Sequence, residues 1–272
     1  MPTERKFTFD VDTKRYLNIV NTYRLAAGLS DIANSDAVDI DNFVIGLKDL
    51  GVWNDMMIWL YSSKYNSIAD RRVVPLKTLN FDYTQQISTF TATVTGSDTG
   101  CIFPSGATMT GPQFVVDLTE ISAGFIGTMP TTSSFSGGWL VATGVRLDGV
   151  SDSSLLWLNP RTGFGGEFRF AGSFAAIADN TLSGFNSWIY TGKFGERTAV
   201  YRNGVTASPS VATVAATIPY NSATITLSFT RGGGYNGTAS VCFIAKKRFS
   251  ASQVFSINQL IKQTVGKNLN LP

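Results

Sequence analysis

Thr198-Ala199-Val200-Tyr201-Arg202-Asn203-Gly204-Val205 reads as a β-hairpin. β-formers run into Asn203-Gly204, the dipeptide that accepts the positive φ angles of a tight type I′ turn. Downstream, the glycine-rich stretch Gly232-Gly233-Gly234-Tyr235-Asn236-Gly237 leads into a second apolar run, Ser240-Val241-Cys242-Phe243-Ile244-Ala245, which stops at Lys246-Lys247-Arg248. A helix start follows: Ser250 with Gln253 three places on forms a capping box, and Phe249 with Val254 has the spacing of a hydrophobic staple. Hairpin, glycine loop, strand and capped helix, in that order, are more specific than any one of them.

This order resembles the last third of a concanavalin A-like, laminin-G-like jelly roll. The positions that carry the resemblance are Tyr201, Asn203, Gly204, Tyr235, Asn236, Gly237 and Ser250. It implies a mostly β chain, an antiparallel two-sheet sandwich that ends in a helix.

Composition agrees with strands and turns. Charged residues are 15% of the 272, aromatics 12%, and glycines number 26. The net charge of +3 is dispersed, and Arg71-Arg72 and Lys246-Lys247-Arg248 read as solvated turn and strand-end charges, so no nucleic-acid partner is expected. Cys101 and Cys242 lack a CxxC partner and read as reduced, buried small hydrophobes. No apolar run follows the charged N-terminus, and Met56-Met57-Ile58-Trp59-Leu60-Tyr61 is too short to span a bilayer, so no secretory signal and no membrane insertion are expected, and any extracellular setting would be reached by another route. Histidine is absent, which removes Ser-His-Asp and Cys-His catalysis and His-ligated zinc.

The front of the chain is helical. Tyr16, Ile19, Val20, Tyr23 and Ala27 share one face of a helix over 13–27, with Asp12 as its cap and Gly28 at its end. Ile40, Phe43, Val44, Leu47 and Leu50 form the stripe of a second helix over 36–50, stopped at Gly51. The pair reads as a hairpin, and the apolar run after it must be buried, in the sandwich core or against a partner.

Phe43-Val44-Ile45-Gly46-Leu47-Lys48-Asp49-Leu50-Gly51-Val52-Trp53, with Met56 and Tyr61, resembles a segment that precedes laminin-G-like domains in structural proteins of tailed bacteriophages. The resemblance covers about 40 residues and departs at Ser62-Ser63-Lys64-Tyr65-Asn66, where such relatives carry a Pro or Gly-Gly turn. It implies a virion structural protein, made in the host cytoplasm, with Gly46, Trp53, Met56 and Trp59 in a docking anchor. Its partners would be other virion proteins and sister subunits of a homo-oligomer.

Residues 62–112 are rich in Pro, Gly, Ser and Thr and suggest short strands with generous turns. From 113 onward strands are expected at 113–118, 139–143, 154–158, 166–170, 187–191 and 223–229, without an intervening helix, the pattern of two packed antiparallel sheets.

The same jelly roll houses retaining β-glucanases, whose chemistry needs two carboxylates about 5–5.5 Å apart. None of the four glutamates, Glu4, Glu120, Glu167 and Glu196, sits in the acid-x-acid-x-x-acid strand motif that supplies them, so the chain is expected not to be an enzyme. Asp148 and Asp152 share one polar loop and Asp179-Asn180 lie in another, without the ordered ligand spacing of a calcium site, so no metal or other cofactor is expected. Tyr235-Asn236, with Asp148 and Asp152, are the candidates for contact with a host-surface glycan; Tyr220-Asn221 offers another aromatic. Trp139, Trp157 and Trp188 lie in strands and read as core.

The expectation is thus a helical docking segment over 1–61 and a lectin-like sandwich over 62–272, with its C-terminal helix at 250–266. It would sit on a phage particle as decoration, fibre or tail component. The alternatives are a polysaccharide-degrading glycoside hydrolase on the same fold and a glycan-binding module of a cellular protein.

Overall fold

The computed structural model describes residues 8–68, 72–79, 87–90, 94–102, 109–116, 119–128, 140–145, 151–159, 167–170, 173–176, 184–193, 196–207, 210–211, 223–229 and 237–272. Its elements are α1 (Val11–Ala26), α2 (Asn34–Asp49), β1 (Met56–Leu60), β2 (Arg72–Val73), β3 (Pro75–Lys77), β4 (Ser88–Phe90), β5 (Thr95–Ser97), β6 (Gly100–Ile102), β7 (Met109–Val116), β8 (Glu120–Thr128), β9 (Leu140–Val145), β10 (Ser151–Asn159), β11 (Glu167–Phe170), β12 (Ser173–Ala176), β13 (Phe185–Lys193), β14 (Ala199–Arg202), β15 (Val205–Thr206), β16 (Ser210–Val211), β17 (Ala223–Phe229), β18 (Thr238–Ala245) and α3 (Ala251–Gln263).

The strands form two sheets. The first runs β15-β14-β13-β8-β18-β1-β3, with β6 also on β18 and β5 on β6. The second runs β16-β12-β11-β10-β9-β17-β7-β4-β2. Every described pairing is antiparallel. The fold is therefore the expected mostly β sandwich, with two helices in front and one behind. The chain passes from one sheet to the other at Val74, between β2 and β3, and Pro75 opens β3, where a missing N–H is tolerated.

The helices cover one face of the first sheet. Met56, Ile58 and Leu60 of β1, Ile126 of β8, Ile189 of β13, and Val241, Phe243 and Ala245 of β18 pack with Tyr16, Val20, Phe43, Leu47, Val254, Ile257 and Ile261 in one core. The alternate residues Met57, Trp59, Phe125, Trp188, Tyr190 and Cys242, on the opposite face by the period of two, are also buried at 0% exposure. A strand buried on both faces has no polar face to show, so the run at 56–61 lacks alternation. The boundary placed near residue 62 falls at the end of an interior strand: β1 pairs with β18 from Met56↔Ala245 to Leu60↔Val241. The helical front is a layer of the sandwich.

Local chemistry sets the element ends. The cap of α1 is Asp10, whose side chain accepts from the Asp12 N–H at 2.9 Å, and the helix begins at Val11. The sequence reading puts Asp12 there; its Oδ2 instead accepts from a lysine and an indole, described below, and its Oδ1 from Arg15. Asn203 and Gly204 have φ of 52° and 83°, as a type I′ turn requires. Ser250 and Gln253 form the capping box of α3, and Phe249 and Val254 are both buried beside it. No helix of the described residues is long and apolar enough to cross a membrane.

Candidate functional site

Between the α1–α2 turn and the loop after β1 lies a cleft of about 340 Å³, within the usual range for small-molecule sites. Three side chains tie its walls together. Arg24, in the last turn of α1, donates from Nε to the Ser30 carbonyl at 2.7 Å and from Nη1 to those of Ser63 at 2.7 Å and Asn66 at 2.9 Å, joining both walls. Asn66 is fully buried: its Nδ2 donates to the carbonyls of Leu60 (2.8 Å) and Val74 (2.9 Å), and its Oδ1 accepts from the N–H groups of Ser67 (3.0 Å) and Val74 (2.9 Å). The Ser62 hydroxyl donates to the Asp98 carbonyl at 2.7 Å and brings in the third wall.

The opening of this cleft is polar. Asp31 is exposed and Asp36 half-buried in the first turn of α2, where the helix dipole favours its charge. Lys64 Nζ lies 3.7 Å from Asp98 Oδ2. Burial, followed by the negative charges of Asp39, Asp36 and Asp98, holds the adjacent Tyr65 hydroxyl above its ordinary pKa.

A second cleft, of about 230 Å³, is lined by Asp12, Lys48, Gly51, Trp53 and Asn54. Lys48 Nζ bridges Asp10 Oδ1 at 2.6 Å and Asp12 Oδ2 at 2.7 Å, and the Trp53 indole N–H donates to Asp12 Oδ2 at 3.1 Å. The ammonium groups of Lys48 and Lys77 lie 5.7 Å and 5.6 Å from the Trp53 ring centre. Partial burial alone would raise Asp10, but the hydrogen bonds from Lys48 and the Asp12 N–H outweigh it and hold the carboxyl below its usual range. Burial, then repulsion from Arg15, Lys48 and Lys246 against the pull of Asp12, lowers Lys77. Sharing one ammonium keeps the two carboxylates within the roughly 5–5.5 Å used by retaining glycosidases. Asp10, held below its usual range, is unsuited to act as the general acid of that chemistry, which must be kept protonated. This cluster ties α1 to α2.

Sequence-derived candidates scatter. Tyr235, Asn236 and Asp148 lie outside the described residues, as do Tyr220-Asn221 and Asp179-Asn180. Asp152 is not a loop residue: it is the second residue of β10, opposite Gly144 of β9, because the polar run Ser151–Ser154 continues the strand. Gly46, Trp53, Met56 and Trp59 make their contacts within the chain. Trp53 is 4% exposed and Met56 and Trp59 are at 0%. A side chain on Gly46 would stand 2.5 Å from Leu260 Cδ1, so its smallness lets α3 cross α2 closely. The apolar surface left on these helices belongs to Ile45 and Phe255, 41% and 49% exposed. Cys101 and Cys242 are buried and in no disulfide, and burial pushes the Cys101 thiol up, away from reactivity. Among the described residues no group of three His, Cys, Asp or Glu side chains is placed to hold a metal ion.

Arg24, Asp31, Asp36 and Asn66 escaped the sequence reading. The acidic turn between the two helices was the available signal; nothing in the sequence says that residues 24, 66 and 98 meet.

Neither a protein-family model nor a curated relative matches the chain. Solved structures do. Trypanosoma rangeli sialidase in complex with sialic acid superposes with a TM-score of 0.56 at 13% identity, over 93% of this chain and 38% of that one. The same organism's sialidase captured as a covalent intermediate with 2,3-difluorosialic acid gives 0.54 at 15% identity, over 77% and 33%. A further structure of that sialidase gives 0.52 at 12% identity, over 85% and 39%. The chain thus spans about two fifths or less of the sialidases it matches, and at this identity the likeness establishes the fold. It also corrects the expectation that the chain is not an enzyme. That expectation rested on a missing strand motif of glutamates, yet the matching fold occurs within glycoside-cleaving chains, and carboxylates brought together from distant loops leave no such motif.

Proposed function

We propose that this chain is a carbohydrate-engaging β-sandwich that serves a glycoside-degrading protein, as its glycan-contacting part. The observation that carries the reading is the two-sheet architecture, which follows a sialidase structure solved with sialic acid over 93% of the chain. The cleft at the α1–α2 turn supports it as a place of contact. It is concave, its walls are fixed by Arg24 and Asn66, and it presents carboxylates that accept hydrogen bonds from sugar hydroxyls.

The test is a glycan array with the whole chain, followed by an assay for released reducing sugar on each glycan retained. Saturable binding of a defined glycan class is the expected result. A chain that retains no glycan and releases no sugar from any polysaccharide on the array overturns the reading.

A second reading places the same sandwich on a tailed-phage particle as a homo-oligomer that contacts other virion proteins. The stretch Phe43–Trp53 favours it through its resemblance to phage structural proteins, and exposed Ile45 and Phe255 beside Gly46 supply apolar surface for a neighbour. Light scattering that reports a monomer at all concentrations would count against it.

A further inference from the structure

Given the glycan reading above, on which this inference rests, we infer that sugar is held in the α1–α2 turn cleft and that the cleft selects neutral and amino sugars over sugars bearing a carboxylate. The charges facing the opening decide the sign. Arg24 is built into the wall, its guanidinium donating to the carbonyls of Ser30, Ser63 and Asn66, and its charge offsets one of the carboxylates lining the cleft. Lys64 is set against Asp98. Among the described residues Asp31 and Asp36 make no ion pair, one exposed and one half-buried, so the cleft lining sets three carboxylates, with Asp98, against two cations.

An incoming carboxylate meets these like charges, where repulsion from the half-buried Asp36 is worth up to about tenfold in affinity and that from the exposed, solvent-screened Asp31 less. A protonated amine gains by a similar factor. A neutral pyranose is met by acceptors for its hydroxyl groups. The volume of about 340 Å³ suits one or two sugar rings, and walls held by buried hydrogen bonds lose little entropy on binding.

The probes are a glucosamine oligosaccharide, a neutral glucan oligosaccharide and sialyllactose, titrated calorimetrically into the whole chain and into the Asp31→Asn/Asp36→Asn pair. The expected order of affinity is glucosamine, then glucan, then sialyllactose, the ends at least tenfold apart. The paired substitution should weaken glucosamine binding at least tenfold and narrow the gap to sialyllactose. Circular dichroism of the variant checks that the substitutions at the exposed Asp31 and the half-buried Asp36 leave the fold intact. Two results overturn the inference while sparing the glycan reading: sialyllactose preferred over the other two, or glucan and glucosamine affinities unchanged in the paired variant. Failure of all three probes, with an array empty of every glycan, overturns both.

Discussion

Phe243 of β18 lies across Gly124 of β8, its partner in the antiparallel register, so that a Cβ on Gly124 would stand 2.1 Å from the ring's Cε1. The ring occupies the space a side chain would fill and reaches the helical layer, where it meets Phe249 with ring centres 6.3 Å apart. Gly124→Ala forces Phe243 off its place between sheet and helices, with an expected loss of about 2–3 kcal/mol, the upper range for overpacking. Urea denaturation of Gly124→Ala, Phe243→Leu and the double variant checks this. A double variant no worse than Phe243→Leu alone is the expected signature of the contact.

The cluster around Lys48 makes a pH-dependent prediction. Asp10 is held below its usual range in the folded chain, so its contribution is complete above the unfolded carboxylate pKa of about 3.9 and is lost as pH falls through the lower folded value. Lys48→Met removes the shared ammonium from Asp10 and Asp12 and should cost about 1–2 kcal/mol at pH 7, between the surface and buried limits for ion pairs. The gap between variant and parent should narrow as pH falls through the lowered folded value of Asp10, below the ordinary carboxylate pKa of about 3.9, where that carboxyl takes up a proton and the ion pair is lost. Thermal melts from pH 2.5 to 7 follow it; a gap that stays constant would show that Lys48 acts through packing alone.

Local signals were legible. The Asn203-Gly204 turn and the Ser250–Gln253 cap depend on residues within four positions of one another, and both stand in the structure as read. The run at 56–61 was recognisably buried, but its neighbour was not readable, because a doubly covered strand carries no alternation to say which face meets which layer. The cleft was invisible for another reason: Arg24, Ser63 and Asn66 converge across some 40 residues of chain, through carbonyl groups every residue possesses. Asp12 looked like a cap and was not, since Asp10 holds that place and Asp12 serves Lys48 and Trp53.

The hairpin turn is also a latch. The Asn203 backbone N–H donates to the Ser187 carbonyl at 2.9 Å, its Oδ1 accepts from the Ser187 N–H at 2.9 Å, and Gly204 lies against Asn258 of α3. Gly204→Val meets both a φ of 83° that a β-branched residue resists and a Cβ position 3.2 Å from Asn258. The expected cost is about 2–3 kcal/mol. Hydrogen exchange should show lost protection in β14, β15 and the first turns of α3 together; loss confined to the turn would argue against the latch.

The Asn66 amide closes four backbone hydrogen bonds at zero exposure. Asn66→Ala leaves two carbonyls and two N–H groups buried without that partner, an expected loss of about 3 kcal/mol or more. Asn66→Asp should be worse, although the side chain keeps its shape. The two N–H groups would still find an acceptor, but the carbonyls of Leu60 and Val74 would face an oxygen in place of a donor, and an ionised carboxylate would have no counter-charge in its hydrogen-bond shell. The order of stability is then Asn66, Asn66→Ala, Asn66→Asp at pH 7, with the aspartate variant recovering partly as pH falls and its carboxyl takes up a proton to donate to one of the carbonyls. Urea midpoints at pH 4 and pH 7 read this directly. An aspartate variant as stable as the parent at pH 7 would mean that the amide's donors are dispensable and that the wall beneath the cleft is held by Arg24 alone.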